Sequence, residues 1–165
     1  MLNIEHALDA VMLYHRQVFG PRLDAVLARA ADPVPCVGVP AHGSHYIGDW
    51  TMYRSLMLPA VFFTVPRSRF VGGENLDIWD HALLVSYLLE GVEEDVLTRG
   101  CWRMAEAGYD ALHDQDPGAS FSLIMQFKEA SYGPTLVRTR GERAFRKDVT
   151  LVFNLRHKEQ FTPLG

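Results

Sequence analysis

Cys36, His42 and His45 lie close together in the chain, and Cys101 is the one other thiol. Thiolate and imidazole are the donors zinc prefers, so this set is the first to weigh. Structural zinc sites are marked by paired spacings such as CxxC, and none occurs here. The set reads as a loop histidine pair and packed cysteines, and no metal ligands are expected. Asp77, Asp80 and His81 are a second candidate, because an acid beside a histidine can orient a general base. Ser68 and Ser86 are the nearby hydroxyls, and neither sits in a GxSxG elbow. A solvated strand end explains the acids and His81, and no catalytic residue is expected. Gly72-Gly73 lacks the GxxxxGK[ST] pattern of a phosphate loop and does not open a helix. It reads as a turn, so no cofactor-binding residue and no cofactor are expected.

The basic cluster Arg138, Arg140, Arg143, Arg146 and Lys147 is the most informative group, offset only by Glu142. It reads either as a solvated loop tip or as an electropositive surface for an acidic partner or passing nucleic acid. Tyr132 and Phe145 are the nearby aromatics, too few for single-strand binding by base stacking. Trp50, Tyr53, Phe70 and Trp79 fall in segments that read as irregular. Such aromatics serve either as core lids or as interface anchors.

The elements that must position these groups follow from periodicity. Ile4, Ala7, Leu8, Val11, Met12, His15, Val18 and Phe19 recur at helical spacing from Asn3, a plausible N-cap, and the stripe runs on to Ala31. Gly20-Pro21 predicts a kink or a break between two helices. Prolines at 33, 35 and 40 predict extended or irregular backbone up to Met57, with at most an edge strand. Strands are predicted over Pro59 to Val65, Asp80 to Glu90, Ser120 to Lys128 and Asp148 to Arg156. A second helix is predicted from about Glu93 to His113, with acids at its start where the dipole favours them. Two loops remain long, Pro66 to Trp79 and Glu129 to Lys147, and long loops are often functional. The expected fold is α+β: a mostly antiparallel four-stranded sheet with two helices packed on one face, in the order α-β-β-α-β-β.

A chain of 165 residues with a net charge of −4 fits one domain over 1–165 and has no overall basic field. The N-terminus lacks a basic segment followed by an apolar core, and no apolar run reaches the roughly 20 residues of a membrane span. A cytoplasmic origin, no membrane partner and reduced cysteines are therefore expected.

The order of these segments resembles the tail-terminator proteins of long-tailed bacteriophages. The resemblance rests on an amphipathic first helix, an irregular stretch and the strand LPAVFFTV. The strand HALLVSYLLEG, the helix VEEDVLTRGCWRMAEAGYDAL and two strands around a long loop complete it, from about Leu2 to Lys158. It implies a non-enzymatic virion subunit, assembled in the host cytoplasm, that forms a homo-oligomeric ring, a hexamer in the family. Such a ring ends the tail tube, meets the tube protein on one side and a neck or head-closure protein on the other, and passes DNA without reading sequence. The loop from Glu129 to Lys147 is then expected at the lumen or a neighbouring ring. A head-closure or other neck connector, or a small ligand-binding or enzymatic α+β dimer, are the alternatives.

Overall fold

The computed structural model describes residues 4–30, 38–53, 56–73, 76–117, 122–138 and 144–160. Helix α1 (Ile4–Arg29) precedes the short strand β1 (His45–Ile47) and the hairpin strands β2 (Ala60–Phe70) and β3 (Leu76–Gly91). Helix α2 (Glu94–Leu112) leads to β4 (Ser122–Tyr132), β5 (Leu136–Arg138) and β6 (Ala144–Gln160). The sheet order is β1-β2-β3-β6-β4, and β5 also pairs with β6. β1 runs parallel to β2, and the other pairs are antiparallel.

The expected four-stranded, mostly antiparallel sheet is therefore corrected to a six-stranded mixed one. Both additional strands, β1 and β5, have three residues. That is too short for alternation to show in a sequence, since the signal needs four to eight residues. β1 lies among glycines and prolines, and β5 follows Gly133 and Pro134, where chain breaks are the ordinary reading.

The long loops are corrected as well. Pro66 was expected to end β2, because proline cannot donate to a ladder. The register instead shifts between Thr64 and Arg67, so Pro66 falls in an irregularity where no ladder bond is required of it. Most of the stretch from Pro66 to Trp79 is thus hairpin, with Gly72 at φ 102° in its turn. β4 likewise passes a shift between Phe127 and Glu129. At Gly133 the backbone N–H donates to Asp148 O at 2.9 Å. A Cβ there would lie 2.0 Å from Asp148 Oδ1, so any larger residue would push that carboxylate aside. Desolvation raises the pKa of that enclosed Asp148 carboxyl.

α1 is one helix through Pro21. Its proposed cap, Asn3, lies outside the described residues. One face of the sheet carries the core, where Phe63, Leu83, Val85, Tyr87, Leu151 and Phe153 pack with Val11, Phe19, Leu97 and Met104 of the helices. Cys101 is buried in the same cluster. On the other face, Ala60, Phe62 and Leu88 are covered by Tyr46, Trp50, Leu56 and Leu58. This second cluster explains why β2 and the end of β3 are apolar on both sides.

Candidate functional site

The histidines are the first test of chemistry. His45 Nδ1 lies 3.0 Å from the carbonyl of Ala41, and His45 Nε2 lies 3.0 Å from His15 Nδ1. His15 Nε2 lies 2.9 Å from the Tyr87 hydroxyl. A carbonyl only accepts, so His45 carries its proton on Nδ1. Its Nε2 then accepts from His15 Nδ1–H, and His15 Nε2 accepts from Tyr87 O–H. All three contacts are then made with both rings neutral. Burial agrees: it pushes His15 well below its ordinary value, His45 down to about 4, and the Tyr87 phenol upward. These groups tie α1, β1 and β3 together and are spent on structure. His15 was legible only as a member of the helical stripe, and nothing in its spacing announced the partners.

Of the zinc candidates, Cys36 lies outside the described residues. Among the described residues no three His, Cys, Asp or Glu side chains gather as metal ligands. His42 is exposed in the turn before β1. Asp80 and His81, adjacent in β3, point to opposite faces, as strand neighbours must. Asp80 binds Arg156, which donates at 2.8 and 2.9 Å, and these bonds hold the carboxyl below its ordinary value with Arg69 adding to the effect. His81 is buried with its Nδ1 2.7 Å from Ser68 Oγ. Burial lowers its pKa to about 4, which makes it a poor base near neutrality. The serine and histidine meet, but Asp80 cannot orient the ring as a triad acid does. Ser86 binds Thr150 at 2.7 Å on the opposite face. Asp77 is half-buried in β3.

The basic cluster divides. Arg140 and Arg143 lie outside the described residues, between β5 and β6, and Arg138 pairs with Ala144. Arg146 is engaged within the sheet: its Nε donates to Glu90 Oε2 at 2.6 Å in the cross-strand register. Lys147 Nζ donates to Thr135 Oγ1 at 3.1 Å. Of the five cations, these two brace the arm rather than reach outward.

The two hairpins mark opposite ends of the sheet. Leu76 of β3 pairs with Gln160, and Gly91 pairs with Phe145. The 16 residues of β3 put these ends roughly 50 Å apart. Phe70, Val71 and Leu76 are exposed at one end. Tyr132, Leu136 and Val137 are exposed at the other. Phe70 and Trp79 are strand residues packed on one another across β2 and β3, not loop residues. Tyr53 packs against Tyr46 and Phe62.

The sheet face turned away from the helices carries a third feature. A concavity there is lined by Arg67, Arg69, Asp80, Lys128, Val152 and Asn154. Arg156 and Lys158 flank a smaller one beside it. Around this concavity Arg67, Arg69, Lys128, Arg156 and Lys158 outnumber Asp80 and Glu129, while Asp49, Glu90 and Asp148 lie further along the same face, so this end of the face is locally positive in a chain of net charge −4. Arg67 and Arg69 were not singled out in the sequence, because they stand in a stretch that read as loop.

Among the described residues no helix is long and apolar enough to cross a membrane. No family model and no curated protein matches the chain. Among solved structures, it is similar to a chain described as "Virion of native gene transfer agent (GTA) particle", at 16% identity and a TM-score of 0.44, covering 82% of this chain and 91% of that one. At that TM-score the likeness carries no argument about function.

Proposed function

We propose that this protein is a structural, non-catalytic subunit of a phage-type virion, forming a closed ring at the head-proximal end of a tail. The observation that carries the reading is the pair of apolar hairpin arms at opposite ends of one sheet, Phe70, Val71 and Leu76 against Tyr132, Leu136 and Val137. Exposed apolar groups gathered on projecting strands mark contact surfaces. Two different patches on one subunit favour heterologous contacts, which close into rings when the rotation allows. The order of elements, which resembles that of tail terminators, supplies the finer role: a hexamer that ends the tube, meets a neck or head-closure protein and lets DNA pass. In that role the tip between Arg138 and Ala144, with Arg140 and Arg143, faces the lumen or the next ring.

The test is electron microscopy of the purified protein mixed with tail tubes. Rings seated on one end of the tube, with tube growth halted, are expected. Rings that ignore the tube and bind only the head-side connector would assign the protein to the neck instead. Absence of rings on either partner would overturn the reading.

A further inference from the structure

We infer that the uncovered sheet face, centred on Arg67, Arg69 and Arg156, receives the outward stripe of α2 from a second copy of this chain, through Glu94, Asp95 and Trp102. The inference rests on the ring reading above and names the contact that repeats around it.

A sheet face with half-buried Leu84, Ala82 and Val152 between its cations is suited to being covered. The helix layer of the same molecule offers the matching chemistry. Glu94 and Asp95 are exposed in the first turn of α2, and Trp102 is 55% exposed two turns on. An indole held outward on a rigid helix is the residue type that anchors interfaces. Arg99 lies on the same stripe, so the acidic excess is concentrated at the start of the helix. Arg156 is already neutralised and oriented by Asp80. Arg67 and Arg69, exposed on β2 beside it, are the cations turned toward a partner.

The two surfaces lie on opposite layers of one subunit. They cannot meet each other within the chain, and a contact between them is directed, face to back, the heterologous kind that closes into a ring where the rotation allows. Nucleic acid is the competing occupant. The apolar floor and the two carboxylates, Asp80 and Glu129, fit an amphipathic helix better than a phosphate backbone.

The experiment is native mass spectrometry of three variants and the wild type across a concentration series. Arg67→Glu with Arg69→Glu makes the face acidic, and Glu94→Arg with Asp95→Arg makes the helix basic. Each is expected to raise the concentration needed for assembly by about tenfold or more. An equimolar mixture of the two is expected to assemble again with the variants alternating, because every mixed contact then pairs opposite charges. Trp102→Ala, which changes no charge, is expected to weaken assembly without lowering the melting temperature, so the inference stays testable if a reversal misfolds. Wild-type rings with variants that assemble equally well would overturn this contact and leave the ring reading standing. Intact assembly with loss of duplex-DNA retention on the Arg67 and Arg69 reversal would give the face to nucleic acid. A wild type that never assembles would remove both.

Discussion

Tyr87 lies under α2, and a Cβ on Gly108 would come within 2.6 Å of its hydroxyl and 2.7 Å of Leu151 Cδ1. Glycine inside a helix normally weakens it, so this position trades helix propensity for the buried hydroxyl that closes the histidine chain. Gly108→Ala is expected to destabilise by about 1–3 kcal/mol, the range for overpacking. Tyr87→Phe leaves the lone pair of His15 Nε2 without its donor and is expected to cost about 1–3 kcal/mol. The double variant should lose less than the sum, since the hydroxyl is part of the clash; urea melts of the four proteins measure that coupling. The same histidines set an acid limit. His15, His45 and His81 have folded pKa values below the ordinary 6.5, His45 and His81 at about 4. The unfolded chain therefore binds more protons below pH 6.5, and stability falls as pH drops from about 6.5 toward 4 while staying level above it. The slope approaches about 1.4 kcal/mol per pH unit for the enclosed His15 and is smaller for the other two. Denaturant midpoints measured between pH 7 and 4 check the sign, and His15→Gln should flatten the curve. In the sequence His15 was visible as core and Tyr87 as strand. Their meeting depends on a separation of 72 residues that periodicity does not encode.

At the scale of elements, both helices and the strands β4 and β6 left readable periods, because each buries one continuous face against its neighbour, whereas β2 and β3 read as apolar runs because both their faces are covered at one end. The arms left no readable period: Pro66 sits at an irregularity that the β2–β3 pairing bypasses, and after Gly133-Pro134 ends β4 the new strand β5 has only three residues. Arg67 and Arg69 were hidden for the same reason. Val137→Asp, on an exposed arm residue, is expected to change folding stability by under about 0.5 kcal/mol, and Phe70→Asp, which also loses its pairing with Trp79, by up to about 1 kcal/mol. Each should nevertheless weaken self-association, read by sedimentation against melting temperature. Arg146→Ala is the contrasting case: it breaks the partly buried pair with Glu90 and is expected to cost about 1 kcal/mol of stability with little effect on association. Charge reversal of Arg140 and Arg143 is expected to impair tail assembly or DNA delivery.

At the scale of the whole molecule, the proposed subunit associates through its two apolar ends and through two layers of opposite charge. The core is closed on the helix side, while Phe70, Val71, Leu76, Leu136 and Val137 at the ends and Arg67 and Arg69 on the opposite face are exposed. The resemblance in element order implies an assembly class, and the ring itself remains the proposal. The surfaces that would make the contacts emerge only once the strands are in register. The most direct test of the central claim is the solution mass by light scattering over a range of concentration and salt. A closed oligomer of defined number, or a concentration-dependent approach to one, is expected, and it should loosen as salt screens the charged contact. A stable dimer at every concentration, indifferent to salt, would contradict it.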